Sequence, residues 1–337
     1  TDYGYSVQET ADGGYIVAGT TNSIDGDVSG NQGSGDAWVV KLDSNRVIQW
    51  QKCLGTTLSD TAKCVRQTSD GGYIVAGYTS STYSSTAWAA KLSSRGDLDW
   101  KKDISNTEQA NSIQQTSDGG YVVAGRSDDY YSNGNFSVTK LNPTGAAEWQ
   151  KLLGGSSLDY ANTIQQTTDG GYIVAGYTQS NDRDVSGNHG SSDYWVIKLD
   201  PNGKLNWQRC LGGSSGDVAN SIQQTTDGGY IVAGSASSND GDVSLNQGGV
   251  DYWVVKLDSE GLMKWQRCLG GSSTDNANSV RQTSDGGYIV AGQAHSTDGE
   301  ASYNHGNSDF LVVKLDSDGV TEWKKCLGGT STDYGYS

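Results

Sequence analysis

The chain alternates apolar and polar residues in short runs that are separated by turn-forming residues. In the stretch from Asp217, "NSIQQT" is followed by "DGG", "YIVAG", a long polar loop, "YWVVKLD", "SEG" and "LMKWQRCLG". Period-two alternation between such turns is typical of antiparallel β-strands. The stretch therefore predicts four strands, A to D, with a tight A–B turn, a long B–C loop and a tight C–D turn. The Asp-Gly pair is expected to supply the positive φ angles of the A–B turn.

This four-strand pattern occurs six times along the chain. The string "DGGYIVAG", once "DGGYVVAG", begins at Asp12, Asp70, Asp118, Asp169, Asp227 and Asp285. Six copies of a four-strand unit predict an all-β fold, a six-bladed β-propeller with four antiparallel strands per blade. We expect one propeller domain over residues 1–331, with blades at about 1–58, 59–106, 107–157, 158–215, 216–273 and 274–331.

A tryptophan of strand D and a lysine of strand C recur in every repeat. A residue that recurs six times is better explained by packing each blade on its neighbour than by a single active site. Four of the five cysteines share one position in strand D, which leucine takes in another repeat, so we interpret them as small buried hydrophobic residues. The tryptophans and lysines are Trp50, Trp100, Trp149, Trp207, Trp265, Trp323 and Lys41, Lys91, Lys140, Lys198, Lys256, Lys314.

The repeat string resembles a known family. "WQRCLGGSS", "SIQQT", "DGGYIVAG", "DGDVSGN" and "DYWVVKLD" together resemble the secreted bacterial and archaeal β-propeller repeats of the SBBP type, in an arrangement similar to six-bladed NHL propellers. The resemblance covers essentially the whole chain, apart from the shortened second and third repeats. It implies an extracellular propeller and little about activity.

Composition and charge exclude some classes of partner. The formal net charge is −16, with 47 Gly, 2 Pro, 19 Tyr and 10 Trp residues. A polyanion repels nucleic acid, and the chain contains no run of eighteen apolar residues that would favour membrane insertion. We therefore expect neither nucleic-acid binding nor membrane insertion. The chain begins at Thr1 without a signal-peptide pattern. We interpret it as a mature form or an excised segment of a secreted or cell-surface protein.

The B–C loop of four repeats contains an acidic twelve-residue motif. Each copy has acids at positions 1, 3 and 12 and Ser at position 5, close to the pattern with which a calcium loop wraps one cation. Position 12 is Asp instead of Glu, and strands flank the motif instead of helices. A polar loop held by Asx turns is therefore the alternative to Ca²⁺ binding. The candidate ligands are Asp25, Asp27, Ser29, Asp36; Asp182, Asp184, Ser186, Asp193; Asp240, Asp242, Ser244, Asp251; and Asp298, Glu300, Ser302, Asp309.

Repeats 2 and 3 replace this acidic loop with tyrosine-rich sequences. Tyr78, Tyr83, Tyr130 and Tyr131 lie beside Ser and Asn residues. Such a mixture suits sugar stacking or a protein contact, and shortened loops that simply need turn residues are the alternative. These four tyrosines are the candidate ligand-binding residues.

The sequence favours a protein that is not an enzyme. The three histidines fit no catalytic arrangement, and the acids are spread evenly over the repeats, whereas an active site breaks symmetry. We expect an extracellular cell-surface, adhesion or filament scaffold with an acidic loop face. A carbohydrate- or protein-binding, lectin-like propeller is the alternative, and a secreted polysaccharide-active enzyme is the third reading.

Residues 1–6 and 332–337 have the same sequence, "TDYGYS". Six repeats end at residue 331, so the second copy stands where a next repeat would begin. Either the chain belongs to a longer array, or the two copies compete for one place. The second case predicts ring closure or head-to-tail self-assembly, so the expected partners are other copies of the protein or surface glycans.

Overall fold

The computed structural model describes residues 1–127 and 134–333, and it has the predicted fold class. The described residues contain 24 strands in six four-stranded antiparallel sheets, so the protein is a six-bladed β-propeller. Each sheet is one blade, numbered in chain order. In the same ranges the helical structure is one 3-10 turn, Gly299–Ala301, and no helix has the length and apolar composition needed to cross a bilayer.

The chain divides into two compact units of three blades, up to Leu153 and from Gly154. In every blade the four strands are hydrogen-bonded in chain order. The N-terminal unit contains β1 (Asp2–Glu9), β2 (Tyr15–Thr21), β3 (Asp36–Leu42), β4 (Ile48–Cys53), β5 (Ser59–Gln67), β6 (Tyr73–Ser80), β7 (Ser85–Leu92), β8 (Leu98–Asp103), β9 (Gln109–Gln115), β10 (Tyr121–Arg126), β11 (Phe136–Leu141) and β12 (Ala147–Leu153).

The C-terminal unit repeats the same order of strands. It contains β13 (Asp159–Gln166), β14 (Tyr172–Thr178), β15 (Asp193–Leu199), β16 (Leu205–Leu211), β17 (Asp217–Gln224), β18 (Tyr230–Ala236), β19 (Asp251–Leu257), β20 (Met263–Leu269), β21 (Asp275–Gln282), β22 (Tyr288–Ala294), β23 (Asp309–Leu315) and β24 (Thr321–Leu327).

The Asp-Gly-Gly turn between strands A and B differs in detail from the prediction. The first glycine has a positive φ, for example 82° at Gly228, whereas the aspartate before it does not. That aspartate stabilises the turn through its side chain: Asp227 Oδ1 accepts a hydrogen bond from Gly229 N, at 3.0 Å, and another from Thr225 Oγ1. The pair therefore works as an Asx turn followed by a glycine.

The aspartate of this turn also binds the recurring lysine of strand C. Lys256 is 5% exposed, and its Nζ lies 2.9 Å from Asp227 Oδ2 and donates to Leu257 O at 2.9 Å. The same ion pair recurs in all six blades, which explains the repeated lysine as a structural residue. The other pairs are Lys41–Asp12, Lys91–Asp70, Lys140–Asp118, Lys198–Asp169 and Lys314–Asp285.

Strand A has a bulge at the same position in every blade. In blade 5 the pairing with strand B skips Asn220, between Ala219 and Ser221. The bulge brings strand A so close to the glycine of "YIVAG" that a Cβ on Gly234 would lie 2.0 Å from Val218 O. Only glycine fits there, which is the physical reason for the last letter of the repeated string.

The recurring tryptophan packs one blade on the next within each unit. Trp265 of β20 meets Tyr288 of β22 edge to face, with ring centroids 5.7 Å apart. The pairs Trp50–Tyr73, Trp100–Tyr121 and Trp207–Tyr230 have the same geometry. All five cysteines are free thiols. Of the four at the shared strand D position, Cys210, Cys268 and Cys326 are buried, as interpreted from the sequence, whereas Cys53 is partly buried; Cys64 of strand A is buried as well.

Candidate functional site

The acidic motifs lie in the B–C loops of blades 1, 4, 5 and 6. Because neighbouring strands are antiparallel, each B–C loop is at the same end of its sheet as the D–A loop that enters the sheet. We call this end the loop end. The other end carries only the short A–B and C–D turns.

In blades 4, 5 and 6 the first two acids of the motif bind backbone N–H groups of the D–A loop. Asp240 Oδ1 accepts from Ser214 N at 2.8 Å, and Asp242 Oδ2 accepts from Gly212 N at 3.3 Å. The pairs Asp182–Ser156, Asp184–Gly154, Asp298–Ser272 and Glu300–Gly270 repeat this arrangement. In blade 1 the corresponding Asp25 and Asp27 are exposed. These acids therefore serve to join the two loops.

The serine and the last acid of the motif have other partners. Ser186 Oγ accepts a hydrogen bond from Gln208 Nε2 of strand D at 2.7 Å. The pairs Ser29–Gln51 and Ser244–Gln266 repeat this contact. In blade 6, Ser302 follows the 3-10 turn and is exposed. The last acid opens strand C and is fully buried. Its Oδ2 accepts a hydrogen bond from a backbone N–H group of its own loop. The donor–acceptor pairs are Gln32–Asp36, His189–Asp193, Gln247–Asp251 and His305–Asp309.

The four candidate ligands of one motif thus have separate partners. Within residues 1–127 and 134–333, no three His, Cys, Asp or Glu side chains come together as ligands of one metal ion. The loop fits the alternative interpretation better, a polar loop held by side chain to backbone hydrogen bonds. Wrapping of one cation by the twelve residues stays a prediction.

A second set of buried acids, which the sequence did not bring to attention, opens strand A. Asp217 is fully buried, and its Oδ2 accepts from Gly213 N at 2.9 Å and from Ser238 Oγ at 2.7 Å. Asp60, Asp159 and Asp275 are buried in the same position. The signal in the sequence was the "D-x-A" at the start of strand A in blades 2, 4, 5 and 6, which reads as an ordinary loop acid.

The two sets of acids meet where one blade packs on the next. Burial is the main cause that raises the pKa of Asp251; the negative charges of Asp275, Glu300 and Asp298 act in the same direction, a hydrogen bond from Gln247 N opposes them, and the result is a pKa of about 6. Burial also raises the pKa of Asp193, although a hydrogen bond from His189 opposes the change. Each blade junction of this kind therefore holds carboxylates that are costly to ionise.

In the N-terminal unit a lysine lies at the corresponding junction. Lys101 Nζ is 3.6 Å from Asp60 Oδ1, donates to Leu54 O at 2.8 Å and lies 4.4 Å from the centre of the Trp88 ring. Burial lowers the pKa of Lys101, while Asp60 and Asp36 act in the opposite direction. This ammonium is the cation of the first blade junction.

The candidate tyrosines are not gathered into one site among the described residues. Tyr78 lies in strand β6, partly buried, with its ring 6.0 Å from Lys63 Nζ. Tyr83 is 97% exposed at the tip of a turn closed by Ser81 and Ser84. Tyr130 and Tyr131 lie outside the described residues.

The glutamines of strand A bridge neighbouring blades. Gln223 Oε1 accepts from Gln282 N at 2.7 Å, and Gln224 Oε1 accepts from Thr168 N at 2.9 Å. Their amides therefore satisfy the edges of the first strands.

Comparison with known proteins gives similarity of fold alone. No protein-family model and no curated protein sequence matches the chain. A protein of unknown function from Bacteroides caccae is 16% identical, with 86% of this chain and 90% of that chain covered and a TM-score of 0.51. The WD40 domain of Neurospora crassa Pan2 is 12% identical, with 99% and 81% covered and a TM-score of 0.56.

A third similar structure is that of Chaetomium thermophilum Sqt1 bound to the N-terminus of the ribosomal protein L10. It is 12% identical, with 96% of this chain and 74% of that chain covered and a TM-score of 0.52. WD40 repeats build β-propellers. What these comparisons add is that the chain shares its fold with proteins of the propeller class.

Proposed function

We propose that this chain is a non-enzymatic, extracellular propeller that acts as a cell-surface, adhesion or assembly scaffold. The observation that carries the proposal is the structural use of the recurring polar residues. The strand C lysines bind turn aspartates, the strand A glutamines bridge blades, and the loop acids bind D–A loops. Polar groups that are repeated and internally paired build a rigid frame, and they leave function to the loop surface.

The resemblance to secreted SBBP-type repeats supports an extracellular location. The net charge of −16 and the exposed acids of the loop end favour neutral or cationic protein surfaces as partners. Among the similar structures, Sqt1 is bound to the N-terminus of a protein, which is in keeping with a propeller that presents a protein-binding surface.

Other copies of the protein are the first partner that we propose. Asp159, inside the chain, accepts hydrogen bonds both from the preceding D–A loop, at Gly155 N, and from its own blade, at Thr178 and Ser180. The two copies of "TDYGYS" divide these contacts. Asp2 accepts from Thr21 and Ser23, and Asp333 accepts from Gly329 N at 2.8 Å.

A single aspartate in the place of Asp2 and Asp333 would make both kinds of contact that Asp159 makes. This supports assembly of neighbouring copies through the duplicated sequence. Light scattering after size exclusion tests this step. The full chain is expected to form a concentration-dependent assembly, and deletion of residues 332–337 is expected to give a monomer. An identical mass for both proteins at all concentrations would overturn the self-association.

Location and activity are tested separately. Protease treatment of intact cells of the source organism is expected to remove the protein, whereas a cytoplasmic control protein survives. Incubation with a panel of polysaccharides is expected to release no sugar. Turnover that is lost on a single Asp→Asn change would replace the scaffold proposal with an enzymatic one.

Sugar binding by blade 2 is the second candidate function. The exposed Tyr83 lies in the turn between Ser81 and Ser84, and both serines line a groove of about 670 Å³ together with residues that include Thr56, Leu58 and Thr79. An aromatic face next to hydroxyl groups suits a carbohydrate. On a glycan array, Tyr83→Ala and the pair Tyr130→Ala and Tyr131→Ala should abolish binding. Tyr303→Ala, at a 67% exposed tyrosine of blade 6, is the matched control.

A further inference from the structure

Two buried carboxylates face each other where blade 5 packs on blade 6. Asp251 and Asp275 are both fully buried, and Asp251 Oδ1 has no hydrogen-bond partner. A Cβ placed on Gly270 would lie 2.5 Å from Asp251 Oδ1 and 2.6 Å from Asp275 Oδ2. The two oxygens therefore both approach Gly270 closely, which only a residue without a side chain allows.

The same arrangement occurs at two other places in the C-terminal unit. A Cβ on Gly212 would lie 2.6 Å from Asp193 Oδ1 and 2.7 Å from Asp217 Oδ2. At Gly328, which follows the last strand of blade 6 and is exposed, the corresponding oxygens are Asp309 Oδ1 and Asp333 Oδ2, at 2.5 and 2.7 Å, and Asp333 is partly buried. Asp193 Oδ1 and Asp309 Oδ1 are buried without a hydrogen-bond partner as well.

An unpartnered carboxylate oxygen in such a place is costly. Burial of an ionised carboxylate needs a compensating charge or hydrogen bonds, and a second carboxylate beside it increases the cost. Around Asp251 the neighbouring charged groups are themselves acidic, Asp275 from strand A and Asp298 and Glu300 from the B–C loop. A positive charge is what this junction lacks.

The N-terminal unit provides an internal reference for that charge. There Asp36 and Asp60 form the equivalent pair, and Asp36 Oδ1 likewise has no hydrogen-bond partner. What differs is the ammonium of Lys101, which lies 3.6 Å from Asp60 Oδ1, donates to Leu54 O and acts on Asp36 through its charge. Lys101 thus stands for a cation held by carboxylate and main-chain carbonyl oxygens. The carbonyl equivalent to that of Leu54 belongs to Leu269 at the junction of blades 5 and 6.

Among the described residues, no ammonium reaches the junctions of the C-terminal unit in this way. At the strand D position of Lys101, blade 5 has Gln266, whose Oε1 accepts from Trp253 Nε1 at 2.9 Å. Blade 6 has Lys324, whose Nζ donates instead to Gly299 O, at 2.8 Å. The two imidazoles nearby, His189 and His305, contact the Oδ2 atoms of Asp193 and Asp309, not the unpartnered Oδ1 atoms.

We propose that each of these three aspartate pairs binds one divalent hard cation of the Ca²⁺ type. Two carboxylates match a double positive charge, and all-oxygen ligands with main-chain carbonyls and water are those that Ca²⁺ prefers. The ligand set differs from the twelve-residue loop, because it combines the last acid of the loop with the aspartate that opens the next strand A. It goes beyond the scaffold proposal and does not depend on it.

Calcium titration of the full, chelator-treated chain tests the inference. Isothermal titration with CaCl₂ is expected to give three sites, and the melting temperature should rise with Ca²⁺ and fall with EDTA. Asp251→Asn should remove one of the three sites. Asp36→Asn is the matched control, because it changes the same strand position at the junction where Lys101 lies, and it should leave all three.

Several results would overturn the proposal. One is a titration with no heat of calcium binding and no change in melting temperature. Another is an unchanged number of sites in Asp251→Asn. A third is a melting temperature that rises on acidification without a response to calcium, since the paired carboxyls would then share a proton. If Asp251→Asn does not fold, Asp193→Asn changes the same position at the junction of blades 4 and 5 and is judged by the same count. Asp182→Asn with Asp184→Asn should keep three sites, and loss of a site there would favour the loop instead.

Discussion

Replacement of Trp265 by alanine tests whether the recurring tryptophan joins one blade to the next. The indole is partly buried, meets Tyr288 edge to face with centroids 5.7 Å apart, and lies over Gly319 of the next C–D turn. The natural control is Trp323, which occupies the same position in blade 6 and is 49% exposed. The two substitutions remove the same atoms from different surroundings.

The expected losses follow from the buried area. A tryptophan buries about 150–250 Å², which at about 25 cal/mol per Å² corresponds to about 4 kcal/mol for a mostly covered side chain. The edge-to-face ring pair contributes about 1 kcal/mol more, and partial collapse of the site reduces the total. We expect Trp265→Ala to lower the free energy of unfolding by about 3–4 kcal/mol, and Trp323→Ala by about 1–2 kcal/mol.

Urea unfolding followed by far-ultraviolet circular dichroism is the suitable assay, because tryptophan fluorescence changes with the substitution itself. Both variants should keep the m-value of the parent protein, so that the midpoint alone reports the loss. Equal losses at the two positions would refute the reasoning, since they would mean that Trp323 is covered in solution. A loss below about 1 kcal/mol at Trp265 would refute the packing role of the tryptophan.

Three further predictions concern the turns, the acid range and the thiols. Gly319→Ala should cost clearly more stability than Gly286→Ala in urea unfolding, because both glycines have positive φ but only a Cβ on Gly319 would lie 2.9 Å from the Trp265 ring; equal costs would contradict the contact. Burial acts to raise the pKa of Asp227, but hydrogen bonds from Thr225 and Lys256 lower it to about 2. The stability that this carboxylate contributes should therefore be complete above about pH 4 and be lost as the pH falls towards 2. A melting temperature that does not fall over this range would contradict the prediction. Burial raises the pKa of Cys268 to about 12, and native protein at pH 8 should react slowly with a thiol reagent at this residue and rapidly in urea, with mass spectrometry identifying the labelled peptide.

The strands and turns could be predicted because each depends on local chemistry. Period-two alternation in "YIVAG" and "YWVVKLD" marks strands at any position in a fold, and Asp-Gly-Gly marks a turn within four residues. Even so, the turn forms differently from the expectation. The aspartate uses its side chain rather than a positive φ, a choice that depends on the lysine of strand C, which lies 29 residues away in blade 5.

The paired aspartates could not be predicted, because their contact depends on residues that are distant in the sequence. Asp251 and Asp275 belong to different sheets, and only the packing of blade on blade brings their oxygens to Gly270. In the sequence, Asp251 reads as the last ligand of a calcium-like loop and Asp275 as an ordinary loop residue. Tyr78 and Tyr83 also differ in exposure: Tyr78 lies in a strand and is partly buried, whereas Tyr83 lies at the tip of a turn and is exposed.

The bulge in strand A affects how this protein can evolve. The residue that the ladder skips is Tyr5, Lys63, Asn111, Asn162, Asn220 or Asn278, and its neighbours hold the sheet together without it. In the C-terminal unit Asn162 Nδ2 donates to Ala219 O of the next blade at 2.8 Å, whereas in the N-terminal unit Lys63 lies 4.0 Å from the centre of the Tyr5 ring. Selection can therefore exchange an amide for an aromatic ring or a cation at this position while strand pairing is preserved. The chain thus has six places where new chemistry can appear at little risk to folding.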